Sequence, residues 1–501
     1  MKQPVSRVLC IVMLGVYSVY VSAASAAALT YSRHCASCHG KELEGAVGPS
    51  LIKSEWRAVG ARKNLIKTIH DGRPALGMPA WGGALSGEEI EGVADEIQRV
   101  NSRVGQLKVE TRPPGIVKGQ LYDIRVEVLA DTDYLKIAPS SMAFLPNGDL
   151  LLAGSTDLNL LRKGAGNVSP IPGIGAPRVT SVALHPDYHD NGWIYLSLGS
   201  DSKSPSGQLI RGRIRSGRWV DGEVLGPYGG PRIVFDNKGF LYISEGVVEQ
   251  AHQDEIEVQE VDSVCQDLTK SGGKILRLRD DGSIPDDNPF VAQPGARGEI
   301  WTFGHRDPEG LTFDAVTQTL WSTEHGPWGG DELNRIMKGR NYGYPIVSSG
   351  RHYSALLPFA RYHEGIDDPV FHWTPSIGVS NLVVYRGAAF PKWEGNLLVT
   401  SLGSPRVGRT LYRFNLVDGQ AVLFSLARDS SGRALKDSSG QPMPPTRRYE
   451  ELLPGIGRIR DISVSSEGYV YLLLERPGKV VRIVPVSPAT TTLPAFDFLL
   501  P

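Results

Sequence analysis

The sequence predicts a small all-α domain followed by an all-β six-bladed propeller. Two observations indicate this order. A Cys-x-x-Cys-His motif and an amphipathic helical segment lie within the first hundred residues, and beyond residue 130 one strand–turn–strand pattern occurs six times. The chain has 501 residues, a length that allows two to four domains.

The first 26 residues have the features of a signal peptide. Lys2 and Arg7 precede an apolar run at residues 8–21, and Ala24-Ser25-Ala26 supplies the small side chains that favour cleavage. A membrane anchor is the alternative, but the apolar run is short, and no later segment approaches the ~18 apolar residues that a spanning helix needs. We therefore expect cleavage after residues 1–26, a periplasmic product and no stable membrane span.

Cys35-Ala36-Ser37-Cys38-His39 matches the attachment motif of a c-type haem. The thiols of Cys35 and Cys38 can add to the two vinyl groups of the haem, and His39 can then ligate the iron. A zinc site or a redox pair is the alternative, but the sequence has no second cysteine pair to complete a zinc site. The motif predicts a covalently bound haem c.

Met78 is the candidate for the second axial ligand. A lone methionine more often fills a core, but this one lies in the Gly/Pro-rich loop Gly77-Met78-Pro79. A thioether opposite histidine raises the iron potential and suits electron transfer. The predicted iron ligands are therefore His39 and Met78.

Three short segments fall where class I cytochromes c have them, namely His39-Gly40, Gly48-Pro49-Ser50-Leu51 and Gly77-Met78-Pro79. The segment resembles that family, which implies that a backbone carbonyl near Pro49 holds the other nitrogen of His39. We assign residues 27–104 to this domain.

An amphipathic helix is predicted from about Gly87 to Val100. Ser86 and Glu89 have the spacing of a capping box. The apolar residues Ile90, Val93, Ile97 and Val100 recur at helical spacing.

The composition argues against a nucleic-acid partner and against structural disulfides. Hydrophobic residues make up 41% of the chain and the formal net charge is −1, so there is no basic excess to indicate nucleic-acid binding. Of the four cysteines, Cys10 lies in the predicted signal peptide and two belong to the haem motif. Cys265 remains alone, so we expect no structural disulfide and a buried side chain at this position.

Residues 105–130 are predicted to be a linker, with a stiff joint at Thr111-Arg112-Pro113-Pro114-Gly115. Residues 131–486 contain the hairpin repeats, and 487–501 are predicted to be a loosely held tail. Six hairpins at irregular spacing favour a propeller over a β-sandwich, which would need fewer and more uniform strands. The hairpins lie at residues 143–152, 182–196, 234–243, 312–321, 393–399 and 464–471.

Five motifs occur in order among the hairpins, at Gly273–Leu278, Gly304–Leu311, Glu324–Asn334, Asn341–Pro345 and Gly457–Asp461. Together they resemble the soluble aldose sugar (glucose and sorbosone) dehydrogenases that depend on pyrroloquinoline quinone (PQQ), which are six-bladed propellers. The similarity extends from about Leu135 to Val484. It implies a PQQ cofactor that receives a hydride from a sugar or aldehyde, and a calcium ion that polarises the quinone.

PQQ carries three carboxylates, and guanidinium groups bind carboxylates in a bidentate manner. Arg306, Arg458 and Arg460 match the positions at which the family binds PQQ. Arg458 and Arg460 are two residues apart, so on a strand both can point to the same side. The alternative for each is a surface salt bridge.

The resemblance also assigns the calcium ion and one hydroxyl. The backbone carbonyls of Gly326 and Pro327 match the calcium site of the family, and oxygen ligands suit calcium; a simple Gly-Pro turn is the alternative. Ser376 corresponds to a hydroxyl that contacts the cofactor.

The sequence departs from the family at the general base. Tyr228 stands where the family has a histidine, and a phenol with an ordinary pKa of ~10 is a weaker base near neutrality than an imidazole at ~6.5. Arg232 could lower the pKa of Tyr228, but not enough to make the phenol equal to an imidazole. Glu245 is the nearest candidate for the carboxylate that supports the base. His325 is an alternative base, whereas His185 is predicted to be structural.

It departs again in the PQQ loop, where Asp307 and Glu309 replace the amides of the family. Two carboxylates beside a trianion weaken its binding unless they are protonated or bind a cation, and they could also enlarge the calcium site. Gly403 stands where some members have a lysine that binds PQQ, and Arg406 could partly replace it.

The sequence therefore supports two hypotheses. In the first, the chain is a periplasmic quinohaemoprotein oxidoreductase that oxidises an aldose sugar or a related hydroxy or aldehyde substrate with PQQ and passes electrons through haem c to a respiratory-chain acceptor. In the second, the propeller has lost PQQ and is a binding or docking module for a cytochrome c electron carrier.

Overall fold

In a computed structural model, the chain divides into two compact units, the first of residues 1–110 and the second comprising nearly all of the remainder. No helix among the described residues is long and apolar enough to cross a membrane. The predicted signal peptide lies outside these residues. The structure describes residues 27–39, 51, 61–73, 78–106, 115–131, 139–154, 158–164, 166, 168–175, 178–199, 207–247, 264–327, 329–351, 359–360, 362–403, 409–417, 420–421, 449–476 and 478–488.

The described part of the first unit is helical, with helices at 27–34, Ala36–His39, Ala61–Asp71 and Gly87–Gln106. They enclose one apolar cluster that includes Leu65, Ile90 and Ile97. The predicted capping box is confirmed, because the Ser86 amide donates to Glu89 Oε2 at 2.9 Å and the Glu89 amide donates to Ser86 Oγ at 3.2 Å. The last helix extends beyond the predicted end at Val100.

The second unit is built from antiparallel sheets. Its strands are β1 (Ile116–Val117), β2 (Tyr122–Asp131), β3 (Ser141–Phe144), β4 (Leu150–Ala153), β5 (Leu158–Leu161), β6 (Val168–Ile171), β7 (Val179–Leu184), β8 (Ile194–Leu198), β9 (Gln208–Arg215), β10 (Arg218–Gly226), β11 (Arg232–Phe235), β12 (Leu241–Glu245), β13 (Lys274–Leu278) and β14 (Ile300–Phe303). They continue with β15 (Pro308–Asp314), β16 (Thr319–Glu324), β17 (Asp331–Ile336), β18 (Phe371–Trp373), β19 (Val379–Val384), β20 (Leu397–Ser401), β21 (Leu411–Phe414), β22 (Leu416–Val417), β23 (Gln420–Ala421), β24 (Glu450–Glu451), β25 (Arg458–Val464), β26 (Val470–Arg476) and β27 (Lys479–Pro488). Two short helical segments lie at Tyr188–Asn191 and Pro391–Trp393.

These strands form six blades, which confirms the predicted propeller. Blades 1 to 4 are β3–β6, β7–β10, β11–β14 and β15–β18, blade 5 is β19–β21 with β24, and blade 6 is β25–β27 with β2 and β1. The pair β22–β23 forms a separate hairpin. The innermost strands contact their neighbours in the closed order β3, β7, β11, β15, β19, β25 and back to β3.

Apolar clusters lie between all six pairs of adjacent blades. Trp393 lies between blades 5 and 6, and Trp321 lies between blades 4 and 5. Because each sheet is covered on both faces, central strands such as β8, β12 and β16 are buried at every residue. This explains why apolar residues occupy successive positions in them, as in Ile194-Tyr195-Leu196 and Leu241-Tyr242-Ile243, rather than alternating with polar ones.

Glycine closes several of the predicted hairpins. Gly148, Gly239 and Gly468 have φ angles of 85°, 82° and 85°. This left-handed region is open to glycine at little cost. The recurring glycine is therefore a requirement of the turn that joins the first two strands of a blade.

The predicted linker is largely incorporated into the fold. β2, which lies almost entirely within residues 105–130, pairs antiparallel with β27, and Ile124 aligns with Pro485. Tyr122, Ile124 and Val126 are buried in blade 6, and polar residues alternate with them. Likewise β27 extends two residues into the predicted tail. The rest of the tail lies outside the described residues.

We expect Ile124→Ala to destabilise the propeller by about 2–5 kcal/mol, since it removes a fully buried side chain from the closing strand. Val128→Ala on the same strand is the control, because Val128 is 43% exposed. Denaturant unfolding followed by tryptophan fluorescence measures both. Equal and small losses would show that β2 does not stabilise blade 6.

Candidate functional site

The first unit brings described parts of the predicted haem ligand set together. Cys35 and Met78 both pack against its apolar cluster. His39 is 8% exposed, and its backbone amide donates to the carbonyl of Cys35 at 2.8 Å. The chain around Met78 is fixed by reciprocal backbone hydrogen bonds with Arg73 at 2.9 and 3.1 Å. A thiol and a thioether against one apolar cluster, together with a buried histidine four residues after the thiol, fit a haem c.

Two predicted elements of the haem site fall outside the described part of the chain. One is the side chain of Cys38, and the other is the loop around Pro49.

In the second unit, strand pairing in blade 4 brings together two of the predicted motifs. Arg306 and Asp307 directly precede β15, His325 directly follows β16, and these two strands pair with Pro308 opposite Glu324. The amide of His325 donates to the carbonyl of Asp307 at 3.0 Å, and Nδ1 of His325 lies 3.2 Å from Oδ2 of Asp307. The side chains predicted as base and PQQ ligand are therefore direct partners.

Asp307 and His325 form an ion pair. Burial lowers the pKa of His325, but the hydrogen bond and charge of Asp307, followed by the charges of Glu309 and Asp331, raise it to about 9. Burial raises the pKa of Asp307, but His325 and then Arg306 and Arg460 outweigh this and hold it below its ordinary value. His325 is thus protonated at neutral pH, so it acts there as a cation rather than as the predicted base.

The predicted arginine pair on β25 points to one side, as the strand period requires. Nη2 of Arg460 and Nη2 of Arg458 lie 3.2 and 3.4 Å from the same oxygen of Glu475. Nη1 of Arg460 also lies 3.1 Å from Oε2 of Glu309. Because Glu309 belongs to blade 4 and Arg460 to blade 6, this ion pair extends past blade 5 and places both groups in the central channel.

The third predicted arginine, Arg306, is buried beside this group at 9% exposure. Its backbone amide donates to Glu324 Oε2 at 2.7 Å, and Nη1 donates to the carbonyl of His325 at 3.2 Å. It lines a small pocket together with Glu332 and Tyr344, among others. The pKa of Glu332 is raised well above its ordinary value, chiefly by burial and then by the charge of Glu324. A carboxyl group whose ionisation is disfavoured therefore lines the same pocket as Arg306.

Asp331 connects Ser376 to the predicted calcium loop. Ser376 Oγ donates to Asp331 Oδ1 at 2.6 Å, and the amide of Gly326 donates to the same oxygen at 3.2 Å. A Cβ on Gly326 would lie 2.2 and 2.3 Å from the carbonyl oxygens of Gly329 and Gly330. Only glycine therefore fits at position 326. Pro327 follows it and also lines the pocket.

Tyr228 makes its described contacts with blades 2 and 3. It packs in the apolar cluster between blades 2 and 3, and its hydroxyl donates to Glu299 Oε1 at 3.4 Å. Burial, followed by the charge of Glu299, raises its pKa to about 12. Tyr228 is therefore a poor proton acceptor near neutral pH.

The expected effect of Arg232 on Tyr228 is absent. Burial lowers the pKa of Arg232 itself, and its guanidinium donates instead to the carbonyls of Ser140 at 2.9 Å and Arg460 at 2.7 Å. The sequence distance between Tyr228 and Arg232 suggested proximity, but Arg232 begins β11 and points across the channel. His185 Nδ1 accepts from the backbone amide of Asp187 at 2.9 Å, which is consistent with its predicted structural role.

Glu245, at the end of β12, is 9% exposed. Its pKa is raised to about 8 by burial, against the opposing effect of the Gly229 and Gly230 amides. Its Oε1 has no hydrogen-bond partner among the described residues. A Cβ on the next residue, Gly246, would lie 2.5 Å from Asp307 Oδ1, so the end of β12 lies against the blade 4 group.

The sequence missed several carboxylates of the site. The motifs indicate no role for Asp331, Glu332 or Glu475, although Asp331 and Glu332 lie within Glu324–Asn334. The available signal was charge within apolar strands, since Glu475 follows the run Val470–Leu474.

The carbonyl of Gly403 accepts a 3.5 Å hydrogen bond from Arg458, and Arg406 lies outside the described residues.

Replacing Glu245 by Gln should change the pH dependence of stability. A folded-state pKa of about 8 lies above the unfolded value of 4.5, so the unfolded chain loses this proton first and stability falls as pH rises through that interval. Glu245→Gln has no such proton to lose. Between pH 4.5 and about 8, we therefore expect its free energy of unfolding to rise relative to that of the wild type by ~1.4 kcal/mol per pH unit. Urea unfolding at pH 5, 6.5 and 8 measures it; parallel pH profiles would contradict it.

The profile of the glucose/sorbosone dehydrogenase family matches residues 137–482, and that of the cytochrome c oxidase, cbb3-type, subunit III family matches residues 22–95. The aldose sugar dehydrogenase YliI of Escherichia coli is 33% identical over 72% of this chain and 93% of its own length. The quinoprotein glucose dehydrogenase B of Acinetobacter calcoaceticus is 28% identical over 46% of this chain and 53% of its own.

Among solved structures, the apo form of the soluble aldose sugar dehydrogenase of E. coli aligns with a TM-score of 0.59 and 28% identity, covering 72% of this chain and 99% of that one. The sequence match, the six blades and the helical N-terminal unit agree with one another. The chain therefore belongs to the glucose/sorbosone dehydrogenase family and carries an N-terminal cytochrome c domain.

Proposed function

We propose that this protein is a periplasmic quinohaemoprotein that oxidises an aldose sugar or a related hydroxy or aldehyde substrate with PQQ and transfers the electrons to haem c. The observation that carries the proposal is the group of Arg306, Arg458 and Arg460 in and beside the central channel. A related aldose sugar dehydrogenase and a related quinoprotein glucose dehydrogenase support the substrate and the cofactor.

The donor set fits a flat polycarboxylate. The guanidinium groups of Arg306, Arg458 and Arg460 would bind its carboxylates, Ser376 would contact it, and the carbonyls of Gly326 and Pro327 would ligate calcium. Bound PQQ would supply the hydride acceptor, and the calcium ion would supply the Lewis acid that polarises it.

Proton transfer is the task of the chain itself. Oxidation of a hydroxyl requires an acceptor for its proton, and the high pKa of Tyr228 makes its phenolate rare near neutrality. Glu245 Oε1 is better suited, because it is buried, has no partner among the described residues and belongs to a carboxyl with a pKa of about 8. Protonated His325 places positive charge beside Asp307, where it can orient an anionic or carbonyl oxygen.

Electron export is the proposed role of the cytochrome c domain. Cys35 and Cys38 would attach the haem covalently, with His39 and Met78 as iron ligands. Residues 1–26 would direct export, and a respiratory-chain component would accept the electrons. Haem attachment and PQQ use would then occur in the same compartment.

One observation favours a second candidate, the PQQ-less docking module. Glu475 already pairs with Arg458 and Arg460, and Glu309 pairs with Arg460. The positive charge available to a trianion is thereby reduced. In this case the haem domain would function alone as an electron carrier.

Haem reduction distinguishes these candidates. In the haem-loaded protein supplied with PQQ and Ca²⁺, a panel of aldoses and aldehydes should reduce the haem, as measured by its absorbance. Arg460→Ala should raise the PQQ concentration for half-maximal reduction at least tenfold, since charge-assisted hydrogen bonds contribute ~1.5–3 kcal/mol each. Arg215→Ala is the control, because the side chain of Arg215 is 66% exposed and pairs with Asp221 in blade 2. Haem reduction by none of the substrates, with no quinone retained, would support the docking module.

The axial ligand has its own test. Met78→Ala should lower the haem potential by removing the thioether, and substrate-dependent reduction should slow accordingly. Redox titration and the visible spectrum of the full chain measure the change. An unaltered spectrum and potential would exclude Met78 as the iron ligand.

A further inference from the structure

Three side chains of blade 4 converge beside the arginine group. The ligating atoms of Asp307, Glu309 and His325 all lie within 4.8 Å of one another. Asp307 and Glu309 are two residues apart at the start of β15, and His325 follows the strand paired with it. Strand pairing, rather than a flexible loop, therefore sets their separation.

The donor set has a definite chemical preference. One imidazole nitrogen and two carboxylate oxygens suit first-row divalent cations such as Mn²⁺, whereas calcium favours oxygen alone. With metal–ligand distances of ~2.1 Å, two ligands lie at most ~4.2 Å apart. Small side-chain rotations would close the observed 4.8 Å limit to that distance.

A separate observation points to a missing partner. Nε2 of His325 is shielded from solvent and has no hydrogen-bond partner among the described residues. A buried polar atom of this kind requires an explanation, of which a bound ion is one. A second buried polar atom lies nearby. Oε1 of Glu245 also has no hydrogen-bond partner among the described residues, and the next residue, Gly246, lies against Asp307.

The charges around the cluster are balanced by groups that a cation could replace. Asp307 is balanced by His325 at 3.2 Å, and Glu309 is balanced by Arg460 at 3.1 Å. Arg306 is the other nearby positive charge, and Asp331 and Glu475 are the nearby negative ones. A divalent ion bound by the two carboxylates and His325 would displace a proton from the imidazolium and release Arg460 from Glu309.

We propose that Asp307, Glu309 and His325 bind one divalent first-row transition-metal cation, distinct in its ligands from the calcium site assigned to Gly326 and Pro327. A second step rests on the proposed function: the bound cation frees Arg460 from Glu309, and Arg460 can then bind a carboxylate of the quinone. Cation and quinone would then strengthen each other's binding by the same factor.

The test uses the full-length, haem-loaded protein and Mn²⁺ without quinone. Bound Mn²⁺ is counted from the loss of the room-temperature electron paramagnetic resonance signal of the free ion. The wild type should bind one Mn²⁺ in the propeller, and Asp307→Asn and Glu309→Gln should each weaken binding about tenfold or more. Asp286→Asn is the matched control, because Asp286 is 99% exposed, and it should bind as the wild type does.

Three results would overturn the site. The first is that the wild type binds no Mn²⁺ at millimolar concentration, and the second is that both variants bind Mn²⁺ with the affinity of the wild type. The third is tighter binding of Ca²⁺ than of Mn²⁺, which would exclude the nitrogen ligand. Circular dichroism shows whether each variant is folded, and the isosteric Glu309→Gln serves if Asp307→Asn is not. Intact Mn²⁺ binding without substrate-dependent haem reduction would refute the proposed function and leave the site standing.

Discussion

Closure of the ring through blade 6 is the constraint on which the rest of the propeller depends. β2, from the start of the unit, pairs with β27 near its end, and Arg482 and Glu127 join the two strands by an ion pair of 2.6 Å. The side chains of the candidate site come from blades 3, 4 and 6. Their distances are therefore fixed only when the first and last strands of the unit share one sheet.

Inside this ring, charge is arranged in pairs rather than as a single positive patch. His325 faces Asp307, Arg460 faces Glu309, and Glu475 serves two arginines. Buried ions are costly unless they are paired, so paired charges keep the channel stable while no anion is present. An incoming polycarboxylate must then exchange partners with protein carboxylates, which favours ligands whose geometry matches several guanidinium groups at once.

The sequence predicted those features that are determined locally. Turn glycines and apolar strands revealed the six hairpins, and the two-residue period placed Arg458 and Arg460 on one face. β2 was missed because Asp123, Arg125 and Glu127 alternate with its buried residues and resemble a polar linker. The partnership of Glu309 with Arg460 and the raised pKa of Tyr228 could not be predicted, because both arise from burial and from contacts between distant blades.

The side chain of Arg232 extends into the central channel of the propeller. It begins the inner strand of blade 3, yet its guanidinium reaches the carbonyls of Ser140 beside blade 1 and Arg460 in blade 6. Blades 3 and 6 lie on opposite sides of a six-membered ring, so this side chain crosses the axis. Its guanidinium therefore occupies part of the central channel at that depth and joins the inner strands of blades 3 and 6 by a direct hydrogen bond.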